Sequence, residues 1–277
     1  TIAGTTVTIT GFGTTTITAS QASDNANYGG GSITTTLTTT SANYFGADLS
    51  GADFTNVSLY GAVLNLTNLT NAIFVSTDLS GATLLGATLT NILSRSVIGL
   101  ATATLPPGYV GRGGAIFGNN VRITSANLTN ADLSGILFTN SDVSGAIFTG
   151  ATLTNMRTAG LTGTATATLP TGYVFRNGVI VGPNISLQGS ALSSMDLSGI
   201  SIAGTDLSGT VLTGANLTNL VSGNLRNASV TATPPTVLPT GYIFYNNFII
   251  GPAVNLSSTT LSNLDISGAG VADLTRT

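Results

Sequence analysis

Between residues 47 and 91 the chain repeats one pattern of apolar and polar positions every five residues. The centre of each repeat is apolar, in the order Leu49, Phe54, Leu59, Leu64, Leu69, Phe74, Leu79, Leu84 and Leu89. Two positions earlier stands a smaller residue, in the order Ala47, Ala52, Val57, Ala62, Thr67, Ala72, Thr77, Ala82 and Ala87. Two side chains in five are therefore expected to point inward, which neither a helix nor a flat strand provides. The pattern predicts a solenoid.

The same pattern returns over residues 123–153, 187–217 and 256–271, with seven, seven and four centres against nine in the first block. The fifth position is often Gly or Asn, which tolerate the positive φ that a corner can require. In the first block these residues are Gly51, Asn56, Gly61, Asn71, Gly81, Gly86 and Asn91. We therefore expect the chain to turn a corner every five residues.

Four of these repeats, A-D-L-S-G at 47–51, A-D-F-T-N at 52–56, and A-N-L-T-N at 126–130 and 215–219, resemble pentapeptide repeats. The resemblance implies an all-β fold over residues 45–277, a right-handed quadrilateral β-helix in which four repeats complete each turn. Successive coils would lie about 4.8 Å apart. Residues four repeats apart would then stack in a core ladder, with Leu49 below Leu69 and Leu89, and Phe54 below Phe74. Asp48 would lie beside Asn68.

Three segments near 105–118, 169–182 and 238–251 interrupt the blocks, and each begins with Leu-Pro-x-Gly-Tyr. Each is predicted to be a β-hairpin, because two turn-forming residues separate two short apolar runs. The predicted strands are 109–112 with 115–118, 173–176 with 179–182, and 242–245 with 248–251. Similar segments in some bacterial and large-virus pentapeptide-repeat proteins support the architecture and imply no activity.

The tyrosines of these segments, Tyr109, Tyr173 and Tyr242, have two interpretations. They pack on a corner of the solenoid, as insertions on one face of a repeat protein commonly do. Alternatively, they are regularly spaced contact points for a neighbouring molecule or a glycan.

Residues 1–44 lack the five-residue pattern and alternate Thr with apolar residues at 5–10, 14–19 and 33–40, as half-buried strands do. Residues 21–31 are predicted to be a loop. Because a stack of coils ends in open strand edges, this region is expected either to cap the stack or to pair with another subunit. No C-terminal cap is evident, since the pattern runs to Val271.

The composition excludes many kinds of chemistry. Seven Arg and ten Asp are the only residues with ionised side chains, and His, Cys, Lys and Glu do not occur. Without His or Cys there is no zinc or copper site of the ordinary type and no Ser-His-Asp triad. Without Lys there is no Schiff base or P-loop lysine. We expect a non-enzymatic protein without a cofactor.

Charge and hydropathy argue against nucleic acids and membrane spans. The net charge is −3 and the arginines are scattered, so the basic surface of a nucleic-acid-binding protein is missing. The family resemblance also suggests DNA mimicry and topoisomerase inhibition, but ten Asp against seven Arg give too weak a field. Mean hydropathy is +0.41, yet no apolar run reaches the roughly 18 residues of a membrane span.

Most aspartates occupy the solvent-facing position just before a repeat centre: Asp48, Asp53, Asp78, Asp132, Asp142, Asp196, Asp206 and Asp265. Their position in the repeat explains them, so an enzyme acting on polysaccharide is a minor alternative. Calcium binding is possible in chemical terms, but no D-x-D-x-D-G loop occurs. Eight Asn-x-Ser/Thr sequons arise naturally from a repeat rich in Asn-Leu-Thr.

The repeat implies a flat, nearly uncharged surface of Thr, Ser, Asn and Gly, and low charge favours packing against identical copies. The leading hypothesis is a self-assembling structural subunit of an extracellular, cell-surface or virion-associated fibre. The alternative is a monomeric binding module that presents one rigid face to a protein or a glycan.

Overall fold

The computed structural model describes residues 13–21, 30–39, 41–226, 237–245, 247–251 and 254–255. Within those ranges the chain forms twelve strands and no helix. The strands are β1 (Gly13–Gln21), β2 (Gly31–Thr39), β3 (Ile73–Val75), β4 (Leu93–Arg95), β5 (Val110–Arg112), β6 (Ala115–Phe117), β7 (Leu137–Thr139), β8 (Arg157–Ala159), β9 (Val174–Arg176), β10 (Val179–Val181), β11 (Ile243–Tyr245) and β12 (Phe248–Ile250).

Parallel pairing between equivalent residues of successive coils organises the chain. Strand β3 pairs with β4, Ile73 opposite Leu93, and β7 pairs with β8 in the same way. Single bridges continue the pairing between these strands, for example from Asp48 to Asn68 and from Asp53 to Ile73. The bridges recur every five residues, so four short sides complete one coil. The chain is therefore an all-β β-helix, while its predicted right-handed sense stays a prediction.

Apolar centres of adjacent coils stack inside this tube. Leu69 and Phe74 are fully buried, and the rings of Phe54 and Phe74 lie nearly parallel with centroids 5.4 Å apart. Leu89 is likewise buried, whereas Leu49 in the first coil, residues 41–60, is only partly so. The inward ladder expected from the sequence thus lies in the core and is least covered at its N-terminal end.

Val57 does not occupy the buried position that the repeat predicts, because 39% of its surface is exposed. Thr77 holds the equivalent position in the next coil and is fully buried. The physical difference is the neighbour: Thr77 has a coil on both sides, whereas no described coil precedes the one that contains Val57.

Positive φ marks the corners. All seven corner residues predicted in the first block have it, with values from 57° at Asn91 to 72° at Gly51. Leu66 takes a corner position at φ 58°, and it is the one described residue with positive φ that is neither Gly, Asn nor Ser. A bulky side chain is disfavoured in this conformation. Leu66 is also 59% exposed, so burial does not explain its presence.

Three antiparallel hairpins lie in the interrupting segments. Strand β5 pairs with β6, β9 with β10, and β11 with β12, each around a two-residue turn. Gly113 and Gly114, and Asn177 and Gly178, have the positive φ values of such turns. Pairing covers three residues in each strand, so Tyr109 and Gly118, which were predicted as strand ends, lie just outside it.

Each hairpin is built into the stack. All residues of β6 and β10 are buried, and Ile249 and Ile250 of β12 are fully buried. The next parallel bridge back to the preceding coil joins Leu93 to Arg122 after the first hairpin, and Arg157 to Ser186 after the second. Nine more positions separate these partners than separate partners in the regular coil, so each of these two hairpins lengthens one coil without breaking the pairing.

Successive hairpins lie on different sides of the coil. Arg122 lies over Leu93, on the side of β4. Strand β8 lies over β7, and Thr139 of β7 pairs with Asn119. Asn119 precedes Arg122 and lies on the previous side of the coil, so β8 is one side away from β4. The attachment of the second hairpin at β8 is therefore displaced by one side, about a quarter turn. The three hairpins cannot all face one flat partner, as insertions on a common face would.

At the N-terminal end, β1 and β2 form an antiparallel hairpin of nine residue pairs, from Gly13 opposite Thr39 to Gln21 opposite Gly31. The strand predicted at 5–10 and the repeats predicted at 256–271 lie outside the described residues. In the described part of the chain, no helix has the length and apolarity needed to cross a bilayer.

Replacing Phe74 by Ala is expected to lower the free energy of unfolding by about 3–5 kcal/mol, because it empties a fully buried site and removes the stack with Phe54. Leu137→Ala is the control, since Leu137 is 50% exposed. Urea unfolding followed by circular dichroism measures both. Equal losses for the two variants would contradict the proposed core.

Candidate functional site

A buried hydroxyl group fixes each hairpin to the coil beneath it. The Ile116 amide donates to Ser94 Oγ at 2.8 Å, and the Ile180 amide donates to Thr158 Oγ1 at 2.8 Å. In the third hairpin the Ile249 amide donates to Ser222 Oγ at 3.0 Å. All three hydroxyl residues are buried. A buried amide without an acceptor is costly, so these pairs hold the hairpins in register.

Sequence analysis missed these three hydroxyl residues, although a signal was present. The five-residue spacing continues from Leu89, Leu153 and Leu217 to Ser94, Thr158 and Ser222. Each predicted block stops before this polar residue, because a core position was expected to be apolar. In the structure the polar residue marks the coil on which a hairpin rests.

The Leu-Pro-x-Gly-Tyr segment forms the turn that leads into each hairpin. In the first, the Tyr109 amide donates to the Pro106 carbonyl at 3.1 Å, and Gly108 has a φ of 86°. Tyr173 and Tyr242 donate in the same way to Pro170 and Pro239. A positive φ at the third position of a β-turn favours Gly, which explains its place in the motif.

The three tyrosine side chains pack within their own hairpins. A Cβ atom added to Gly118 would collide with the Tyr109 ring, and Gly182 and Gly251 meet Tyr173 and Tyr242 equally closely. The Tyr109 hydroxyl donates to the Asn119 carbonyl at 3.2 Å, and that of Tyr173 donates to the Pro183 carbonyl at 3.0 Å. Partial burial raises the pKa of all three hydroxyls. This geometry favours the packing interpretation over a shared contact surface.

The aspartate side chains stabilise the corners of the coil by accepting hydrogen bonds from the residue two positions later. Asp53 Oδ1 accepts hydrogen bonds from the Thr55 amide at 2.8 Å and from the Thr55 hydroxyl at 2.5 Å. The same Asp-x-Ser/Thr bond to the amide two residues later recurs along the chain, at Asp48, Asp78, Asp132, Asp142, Asp196 and Asp206. Asp48 also accepts from the Asn68 side chain at 3.0 Å. These carboxylates therefore have a structural role.

Hydrogen bonds from residue i+2 lower the pKa of four exposed aspartates. The bond from the Ser50 amide is the largest cause at Asp48, and side-chain hydroxyls dominate at Asp53, Asp132 and Asp196. Arg112 and Arg176 add a smaller favourable charge interaction at Asp132 and Asp196. Among the described residues, no three acidic side chains come close enough to hold a metal ion.

The first coil, residues 41–60, presents an open strand edge. In the second coil the amides of Val63, Asn68, Ile73 and Asp78 donate to carbonyls of the first coil, at 2.9 to 3.1 Å. The equivalent amides of the first coil belong to Asn43, Asp48, Asp53 and Ser58, and none of them has an acceptor among the described residues. β1 and β2 pair with each other, and among the residues that the structure describes no bridge joins them to this edge.

Apolar surface accompanies this edge. Phe45 is 61% exposed and Tyr60 is 44% exposed, and the inward-facing Leu49, Ala52 and Val57 are incompletely covered. Exposed Leu66 and Leu85 extend this surface along the corner of Phe45, in the next two coils. The open end thus combines backbone amides that have no acceptor among the described residues with an incompletely covered core.

The comparisons with known proteins identify the repeat. The family model described as "Pentapeptide repeats" matches in eight copies, over residues 46–91, 119–155 and 184–219. These segments are the three blocks that form the coil, with the hairpin modules between them. No curated protein matched the chain.

Solved structures that match the chain include pentapeptide-repeat proteins. HetL, involved in heterocyst differentiation regulation in the cyanobacterium Nostoc sp. strain PCC 7120, is 22% identical with a TM-score of 0.26, over 73% of this chain and 78% of that one. Rfr23 from the cyanobacterium Cyanothece 51142 is 16% identical with a TM-score of 0.20, over 72% and 88%. QnrB1, a plasmid-mediated fluoroquinolone resistance protein, is 16% identical with a TM-score of 0.19, over 83% and 89%.

Thr158→Val is expected to destabilise the protein by about 1–3 kcal/mol, because the buried Ile180 amide loses its acceptor while the shape of the side chain is kept. Thr152→Val is the matched control at an exposed position. Chemical denaturation measures the difference. If Thr158→Val were as stable as the control, the hydroxyl would not be the anchor of the hairpin.

The lowered carboxyl pKa values predict the acid response. The hydrogen bonds of these carboxylates contribute stability above the ordinary pKa of 3.8, and that stability is lost as pH falls through the lower pKa of the folded state.

Thr55→Val should raise the pKa of Asp53 towards 3.8, since it removes the largest cause of the shift. NMR titration of the carboxyl carbon measures this pKa, and Thr70→Val, which lies beside Asn68, should leave it unchanged. An unaltered Asp53 pKa in Thr55→Val would refute the assignment.

Proposed function

We propose that this chain is a non-enzymatic structural protein whose first coil pairs with another copy of the chain. The observation that supports this proposal is the edge of the first coil, where the amides of four residues have no acceptor among the described residues and lie beside incompletely covered apolar side chains. The four are Asn43, Asp48, Asp53 and Ser58. Unpaired strand edges are templates for adding another strand, and backbone hydrogen bonds supply the affinity. The partner that matches a pentapeptide coil edge in length and spacing is another pentapeptide coil.

The charge of the chain supports self-association. Charged residues make up 6% of the sequence, and the net charge is −3. Repulsion between like-charged copies is therefore weak, and flat coil edges can approach closely. Pairing between opposite ends of successive copies is a heterologous contact, which repeats into a filament unless rotation closes it into a ring.

The proposal assigns the β1–β2 hairpin to intersubunit contact. Its two strands pair with each other over nine residue pairs. Among the described residues, no bridge joins the hairpin to the first coil. A cap would be expected to pair with the coil edge that it covers.

The proposal also includes a right-handed coil. Successive strands of each side are parallel and are connected by a full turn of the chain. Parallel strands joined by a crossover are right-handed in about 98% of known cases, owing to the twist of the strands.

A second candidate function is a binding module for another protein. The corner formed by Phe45, Leu66 and Leu85 favours it, because all three are largely exposed. Leu66 also holds a backbone conformation that is unfavourable for leucine. Residues held in such conformations cluster at functional sites and ligand contacts.

Val57→Arg tests the self-association hypothesis. Wild-type protein is expected to form end-to-end assemblies in electron micrographs and a concentration-dependent mass distribution in sedimentation velocity. The variant should be predominantly monomeric, because a charge would be buried at the coil edge. Val221→Arg is the matched control: Val221 is 37% exposed against 39% for Val57, but it pairs on both sides within the stack.

The control variant should assemble as the wild type does. Isolated rods for the wild-type protein at all concentrations would overturn the proposal and favour the binding module. Assembly that is equally weakened by both arginine variants would show that the contact is not at the first coil.

A further inference from the structure

We infer that a polar depression on the side of the first hairpin module binds a neutral saccharide of one or two sugar units. The depression has a volume of about 440 Å³, within the range of small-molecule sites. The residues that line it include Asn91, Asn120, Arg122, Asp142 and Thr162. This inference is separate from the self-association proposed above, because the depression lies on the lateral surface.

The side chains in the depression are held in place by hydrogen bonds, and some of their donor and acceptor atoms remain available to a ligand. Arg122 Nε donates to the Asn91 carbonyl at 3.1 Å, which fixes the guanidinium, and its terminal nitrogens have no partner among the described residues. Asp142 Oδ1 accepts from the Ser144 amide at 2.8 Å and from its hydroxyl at 2.5 Å. In the described part of the chain, Asp142 Oδ2 accepts no hydrogen bond and the Asn120 side chain has no hydrogen-bond partner.

These groups match sugar hydroxyls. A hydroxyl group both donates and accepts, so adjacent hydroxyls can donate to Asp142 Oδ2 and accept from the terminal nitrogens of Arg122. Arg122 and Asp142 are neighbours on adjacent coils, joined by a backbone bridge. Their charges sum to zero, which favours a neutral ligand over an anion. Asn and Thr residues supply further hydrogen-bonding groups around the rim.

The second module provides an internal comparison, because its segment 169–182 repeats the segment 105–118 of the first. Asp206 corresponds to Asp142, but Arg226 stands in the place of Thr162 and Ser186 in the place of Arg122. Arg226 Nε donates to the Gly204 carbonyl at 2.8 Å, and Nη2 donates to the Ile185 carbonyl at 3.3 Å. The arginine thus lies across the region that the shorter Thr162 leaves open in the first module.

Thr162→Arg is therefore expected to fill the depression with a side chain that the second module already accommodates at this position. The probes are cellobiose, maltose, lactose and N-acetylglucosamine, with glucuronic acid as the charged comparison. Saturation-transfer NMR and calorimetry on the full chain should detect at least one neutral sugar. Thr162→Arg should abolish this binding, and Arg122→Ser should weaken it at least tenfold.

Asp206→Asn is the control, since it changes the equivalent carboxylate outside the depression and should leave binding unaltered. Circular dichroism checks that each variant is folded, and Arg122→Ser carries the test if Thr162→Arg unfolds. The inference is overturned if no neutral sugar binds, if binding survives both variants, or if only glucuronic acid binds.

Discussion

Hydrogen bonding between backbone groups one full coil apart along the chain is the constraint on which the rest of the structure depends. Because each coil donates to and accepts from its neighbours, every repeat must keep its length, and its centre must stand over the centre below. Core stacking, corner φ values and aspartate bonds all follow from this spacing. The fold is stabilised by nearest neighbours, as in other repeat proteins. It follows that its ends differ chemically from its middle.

The hairpins show how such a stack accepts an insertion. Each of the first two hairpins lengthens one coil by nine residues, yet Leu93 still pairs with Arg122 and Arg157 with Ser186. A hydroxyl residue replaces the apolar centre below each hairpin and accepts the hydrogen bond of a buried amide. The change from apolar to polar at one core position is thus compensated locally. Each insertion also shifts the next hairpin to a different side of the coil.

Much of the coil could be predicted from the sequence, because a five-residue period leaves few structural solutions. The corner residues and the stacking of Phe54 on Phe74 depend only on that period and on the four repeats in each turn. The exposure of Val57 could not be predicted from the pattern, since burial at an end depends on what precedes the coil. Ser94 could have been recognised had the period been followed past Leu89. The Arg122 depression depends on which side chains four successive coils bring together, which no single repeat encodes.

Oxidative cross-linking tests the central claim directly, because the native chain contains no cysteine that could interfere. Asn127 and Ile147 pair on adjacent coils, whereas Thr152 lies one side further along. Paired parallel residues lie at the Cα separation that a disulfide can span, about 4.4–6.8 Å. Asn127→Cys combined with Ile147→Cys is predicted to form an intramolecular disulfide readily, and Asn127→Cys combined with Thr152→Cys is not. Equal yields for the two double variants would contradict a coil of four repeats.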